Sequence, residues 1–195
     1  MNLAIFVSGG GTTLNAIAEA IESGRLKSRI ALVVSSKEDA GAIESYVKPR
    51  GIPYVVIKKK DFENEEKYGE AMLEALENHG VDFICLAGFL QMIPANVVAK
   101  FGGRMINSHP GDTKRFGGQG MYGKFVHEAV IAAGEKETMS TIHWVDEVYD
   151  RGDIISQMKM EIPEGTTPEE LAKKLLPIEW ENYVSSLEKI EKESN

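Results

Sequence analysis

An amide and an imidazole stand two residues apart in Asn107-Ser108-His109-Pro110, directly after the strand-like run Arg104–Ile106. Alternate residues of an extended chain share a side, so Asn107 and His109 would project together. Both can donate hydrogen bonds to an oxygen that becomes negative as an amine attacks a carbonyl, which is what acyl or formyl transfer requires. A structural His-Pro turn fits the same four residues. The acidic stretch Asp146-Glu147-Val148-Tyr149-Asp150-Arg151-Gly152-Asp153 would join two late strands and could bring a carboxylate to the same sheet edge. A solvated turn is the alternative there.

The run Ser8-Gly9-Gly10-Gly11-Thr12-Thr13 separates a strand from a helix start, where free backbone amides and the helix dipole favour a phosphate. It is neither G-x-G-x-x-G nor a P-loop, and the missing lysine argues against an ATPase. A plain tight turn remains open. Lys114 and Arg115 could meet a phosphate or an acidic tail, or form a solvated pair. His79, His127 and His143 show no metal-site spacing, so no catalytic metal is expected. His79 and His127 read as surface or cap residues, and His143, on a strand, could flank the site. Phe89-Leu90-Gln91-Met92-Ile93-Pro94 would be core, or the wall of a pocket for a flat aromatic ligand.

The elements that must carry these groups alternate. Strands are expected over Leu3–Val7, Ile30–Val34, Tyr54–Ile57 and Phe83–Leu86, with helices carrying Leu14, Ile17, Ala18 and Ile21, and Tyr68, Met72, Leu73 and Leu76. Ser36-Lys37-Glu38-Asp39 resembles a capping box opening a further helix, with Ala40, Ile43 and Val47 inward. This rhythm favours a parallel sheet with helices on both faces, binding ligands at the carboxyl ends of its strands. After Ile106 the pattern becomes mixed: a glycine-rich stretch Gly111–Gly123, a helix over Val126–Ala133, and strands over Thr138–Val145 and Ile154–Ile162. Thr167-Pro168-Glu169-Glu170 starts a last helix expected to continue past Tyr183, before a polar, frayed tail from Lys192 to Asn195.

With 195 residues, 43% hydrophobic and 27% charged, the chain suits one globular domain. Residues 1–101 would form a phosphate-binding half and 102–195 a catalytic half. The single cysteine, Cys85, lies in an apolar run and reads as core in a reducing compartment. No signal peptide or membrane helix is evident, so a cytoplasmic location without membrane attachment is expected. A net charge of -8 argues against nucleic acid as a partner.

Four ordered segments carry a resemblance: Ser8-Gly9-Gly10-Gly11, Leu86-Ala87-Gly88-Phe89, Asn107-x-His109-Pro110, and His143-Trp144-Val145 followed by Asp150-x-Gly152. Together they resemble the folate-dependent formyltransferases, and within them the phosphoribosylglycinamide formyltransferases of purine biosynthesis, over nearly the whole chain. The resemblance implies an α/β, Rossmann-like fold with a mostly parallel seven-stranded sheet. It implies 10-formyltetrahydrofolate as co-substrate, a small phosphorylated amine, glycinamide ribonucleotide, as acceptor, and Asn107, His109 and Asp150 as catalytic residues. It further implies substrate contacts at Gly11, Thr12, Thr13 and Glu179, and folate contacts at Leu86, Leu90, Gln91, Met92, Val145 and the loop Asp146 to Asp150. The mechanism it suggests is direct transfer, with protonated His109 and Asn107 supporting the oxyanion and Asp150 keeping His109 charged. Thr13 and Gln91 depart from the family's common Asn and Arg, and Glu65 lies near an arginine position. The stretch after Pro110 is longer than the family's Ser-Leu-Leu-Pro, which leaves the acceptor open. Rivals are a sugar-amine formyltransferase, a formyltetrahydrofolate deformylase, and a nucleotide-binding module without catalysis. A homodimer is compatible with the sequence, which does not fix oligomeric state.

Overall fold

A computed structural model of the chain, describing residues 1–193, contains one seven-stranded sheet. In chain order the strands are β1 (Asn2–Val7), β2 (Arg29–Ser35), β3 (Tyr54–Val56), β4 (Phe83–Leu86), β5 (Met105–His109), β6 (Glu137–Trp144) and β7 (Ile154–Glu161). Their order in the sheet is β3-β2-β1-β4-β5-β6-β7. The first five are parallel, β6 runs antiparallel to β5, and β7, antiparallel to β6, points with the first five. The helices are α1 (Thr12–Glu22), α2 (Glu65–Asn78), α3 (Ala95–Phe101), α4 (Thr113–Phe116), α5 (Lys124–Ala132) and α6 (Pro168–Glu193).

Period-two side-chain alternation explains why β1 is apolar throughout. Leu3, Ile5 and Val7 pack with Leu14 and Ile17 of α1 and Tyr183 and Leu187 of α6. Ala4 and Phe6 face the other layer, with Tyr68, Met72 and Leu76 of α2 and Val97 and Phe101 of α3. A third cluster joins Val126 and Val130 of α5 to Leu171 of α6, with Phe116 against it. Cys85 is buried in β4, and burial pushes its thiol up to about 12.

Two strand ends define the place where a ligand fits. β1 is followed by its neighbour β2 on one side, whereas β4 lies on its other side, so the loops after β1 and β4 diverge at a topological switch point. Ser8 ties the ends together. Its amide donates to the Gly88 carbonyl at 3.1 Å, its hydroxyl accepts from the Leu90 amide at 2.9 Å, and that hydroxyl shares a 2.7 Å bond with Ser36 Oγ.

Several expected elements are displaced. Ser36 Oγ is engaged by Ser8, so no capping box forms, and the segment winds as a π-turn over Ile43–Val47 and a 3₁₀ turn over Lys48–Arg50. Ala40, Ile43 and Val47 are buried even so. At Thr167 the box does form, with Glu170 Oε2 accepting from the Thr167 amide and Thr167 Oγ1 from that of Glu170. Asn107 to His109 do not follow β5 but belong to it, paired with β6. Helices α3 and α4 have no counterpart in the sequence pattern. Of the expected frayed tail, Ser194 and Asn195 lie outside the described residues, while Lys192 and Glu193 are helical.

Candidate active site

A cavity of about 360 Å³ opens at the carboxyl ends of β1, β4 and β5. Gly11, Thr12, Thr13, Glu179, Leu86, Leu90, Gln91, Met92, Val145, Asp146, Asn107, His109 and Asp150 all line it. The thirteen positions marked from sequence therefore share one space.

At its β1 side, Gly11 caps α1 in a left-handed conformation, φ 74°. An added Cβ would lie 2.4 Å from Ala42 Cβ, so only glycine fits this turn. No side chain caps α1 and its first turn holds no acid, which leaves the leading amides and the positive end of the dipole free for an anion. Glu179 lines the same cavity half-buried on α6, and none of the described residues donates to its carboxylate. Burial raises it to about 7.

The β5 side is a cluster of buried side chains. Strand pairing sets Asn107 opposite His143. His143 Nδ1 lies 2.8 Å from the Trp144 carbonyl, which can only accept, so Nδ1 carries hydrogen and Nε2 is left to accept from Asn107 Nδ2 at 3.2 Å. By the same reasoning His109 Nε2, 2.9 Å from the Phe116 carbonyl, is a donor. Its Nδ1 faces Asp150 Oδ2 at 3.5 Å, and His143 Nε2 faces Asp150 Oδ1 at 3.4 Å. Gly118 donates its amide to Asp150 Oδ2 at 2.9 Å. Asp150 alone among the described non-glycine residues has a positive φ, 55°, a strained conformation of the kind found where function over-determines the backbone.

Burial opposes charge on Asp150. The two histidines beside it and the Gly118 amide together outweigh it, and the carboxyl stays below the usual carboxylate range. For His109 the balance goes the other way. Its ring is 3% exposed, and burial lowers its pKa below the ordinary 6.5 despite Asp150 and the Phe116 carbonyl. The expectation that Asp150 keeps His109 charged is thereby corrected. At 3.5 Å the carboxylate is too distant to offset desolvation of the imidazolium in the ligand-free site.

Other expectations shift as well. Lys114 and Arg115 line a separate groove, where Arg115 pairs with Glu135. Glu65 pairs with Lys59 at 3.2 Å. His79 is the cap residue of α2, but His127 is 4% exposed, and its Nδ1 has no hydrogen-bond partner among the described residues. Tyr122 and Gly118 also line the cavity, although their glycine-rich surroundings read as flexible loop. His143 is central to the cluster, where the sequence suggested only a flank. Its position opposite Asn107 depends on antiparallel register that single-sequence patterning does not carry.

The formyl transferase family model matches residues 1–187. The chain belongs to the formyl transferase family. Among relatives of this formyl transferase chain, the chloroplastic phosphoribosylglycinamide formyltransferase of Arabidopsis thaliana is 40% identical over 183 residues, covering 93% of this chain and 62% of that protein. The chain thus spans about three-fifths of the length of this relative. Phosphoribosylglycinamide formyltransferase of Haemophilus influenzae is 34% identical, covering 86% of this chain and 76% of its own. In structure, phosphoribosylglycinamide formyltransferase from Bacillus halodurans superposes with TM-score 0.93 at 32% identity, covering 100% of this chain and 97% of that one. These likenesses agree with the Rossmann-like, mostly parallel sheet expected from sequence.

Proposed function

We propose that the chain transfers the formyl group of 10-formyltetrahydrofolate to the amine of glycinamide ribonucleotide. The observation that carries this reading is the convergence of Asn107, His109 and Asp150 beside free helix amides in one cavity, within a formyl transferase fold. The relatives bearing that activity by name support the choice of acceptor.

In the reaction the amine nitrogen bonds to the formyl carbon, the bond from that carbon to the folate nitrogen breaks, and the amine's proton ends on that folate nitrogen. The leading amides of α1 hold the phosphate and Glu179 meets the ribose hydroxyls. β1 and β5 are two strand spacings apart, roughly 10 Å, a span that suits a small nucleotide's phosphate and its amine. Leu86, Leu90, Met92 and Val145 give an apolar wall for the folate ring, with Gln91 and the loop Asp146 to Asp150 at its edge.

One Asn107 N–H is taken by His143 and the other is left to stabilise the oxyanion. Neutral His109, its unprotonated Nδ1 facing the Asp150 carboxylate, takes the amine's proton at that nitrogen. The resulting imidazolium lies between the Asp150 carboxylate and the Phe116 carbonyl, and it returns the proton to the departing nitrogen. No covalent bond to the protein forms.

Incubation with 10-formyltetrahydrofolate and glycinamide ribonucleotide should release tetrahydrofolate only when both are present. Release without the amine would mean a deformylase, and release with a sugar amine but not with the ribonucleotide would mean a different acceptor.

A further inference from the structure

Two catalytic-site contacts come from backbone atoms that neither β5 nor the acidic loop supplies. Both belong to the stretch Gly111–Gly123, and they are two residues apart: the Phe116 carbonyl on His109 Nε2 and the Gly118 amide on Asp150 Oδ2. We propose that Phe116–Gly118 is a positioning element of the catalytic centre, the Phe116 carbonyl fixing the ring of His109 and the Gly118 amide fixing the carboxylate of Asp150. This rests on the formyl-transfer reading of the same site.

The element is anchored away from the cavity. Asp112 caps α4 through the Lys114 amide at 2.9 Å, and its carbonyl accepts from Phe116 at 2.7 Å. The Phe116 ring packs on the core between α5 and α6, so one residue gives its side chain to the core and its carbonyl to His109. Gly117, between the two contacts, has no room for a side chain. A Cβ would lie 2.3 Å from the Thr113 carbonyl and 3.0 Å from Asp150 Cβ. Its φ of -103° is open to any residue, so close approach to the Thr113 carbonyl first and to Asp150 second, not backbone conformation, is what demands glycine.

The chemical consequence is specific. A carbonyl on Nε2 forces neutral His109 to carry its hydrogen there, which leaves Nδ1, the nitrogen facing Asp150, as the basic one. The Gly118 amide favours ionised Asp150 over the acid form. The groups facing this pair are His143 from β6, Tyr149 from the acidic loop, Asp112 before α4 and His127 from α5. None of them is a substitute hydrogen-bond donor on Asp150 Oδ2 at the distance Gly118 achieves.

The test uses the full ligand-free chain labelled with ¹⁵N and ¹³C, so its outcome does not depend on the acceptor being correct. Absence of formyl transfer in the unaltered protein would defeat the functional reading and leave this measurement standing. In the unaltered protein the Gly118 amide proton should shift with pH in step with the Asp150 carboxyl carbon. A Gly118 signal that stays flat through the Asp150 titration overturns the proposal. In Gly117→Ala the Asp150 titration should move to higher pH, and kcat should fall about 10²-fold, the scale of a 1 Å misplacement, with KM little changed. Phe116→Ala should act in the same direction and Phe116→Leu should restore most of the loss. Lys114→Ala, on the exposed side of α4 and without a side-chain hydrogen bond or ion pair among the described residues, should leave the Asp150 titration in place. If Gly117→Ala fails to fold, the titration of the unaltered protein decides. A folded Gly117→Ala with an unmoved Asp150 titration and full kcat contradicts the proposal.

Discussion

The wall of the cavity at β1 and its wall at β5 are built by opposite means. At β1 the binding groups are backbone amides left free by a glycine turn, and the one nearby carboxylate, Glu179, has no partner among the described residues. At β5 the groups are buried side chains bonded to each other and to backbone: Asn107 to His143, both histidines against Asp150, and Asp150 to Gly118. An unsatisfied end gains its partners only when ligand arrives, so damage there should appear as lost affinity. A satisfied, preorganised end has its geometry in place beforehand, so damage there should appear as lost rate.

The sharpest way to break this contrast is at β5. His109→Ala should lower kcat by about 10² to 10⁴ and Asn107→Ala by about 10² to 10³, each with modest change in KM. Steady-state kinetics in which KM carries the loss would merge the two walls into one. At β1, Gly11→Ala should raise KM for the phosphorylated amine about tenfold or more by displacing charge-assisted amide contacts, with kcat largely kept.

Titration separates the walls further. Because burial holds His109 below the ordinary 6.5, kcat/KM should stay level as the pH falls through that value and decline only at more acid pH. A decline centred on the ordinary imidazole value would contradict a neutral, buried His109. Glu179 shifts upward, so its charge costs the ligand-free fold stability as pH rises from its ordinary value of 4.5 through about 7. Glu179→Gln should therefore raise Tm at pH 8 but not at pH 4, while weakening the ribonucleotide. An equal Tm change at both values would remove the unpaired-carboxylate account. The smallest effect belongs to neither wall. Tyr183→Phe, which deletes a hydroxyl placed 3.1 Å from the Leu86 carbonyl and 3.3 Å from that of Ile106, should cost about 1 kcal/mol in denaturant unfolding and leave kcat alone.

The two walls were also unequally legible in sequence. The free amides of the β1 side are local, set by an apolar run, glycines and a helix start within Leu3–Thr13, whereas Glu179 comes from α6 and enters only through the family motifs; the strands of the first half fall where their apolar runs lie. The Asn107 and His109 pair is local too, through alternation along β5. Asp150 and His143 join them only through antiparallel pairing and a left-handed turn, which no spacing encodes, and it took the ordered family motifs to bring Asp150 forward. Phe116 and Gly118 act through backbone atoms, so their residue types give no sign of the role. The charge state of His109 is hidden from sequence for a related reason. Proximity to a carboxylate can be guessed from motifs, whereas the depth of burial that outweighs it depends on how α4 and α5 close over the ring.

Single-turnover transfer by Asp150→Asn, with 10-formyltetrahydrofolate and glycinamide ribonucleotide both saturating, tests the β5 cluster most directly. Both ligands should bind much as in the unaltered protein while the transfer rate falls by at least about 10²-fold. Transfer at close to the unaltered rate would show that the carboxylate gathered against His109 and His143 does not take part in the reaction.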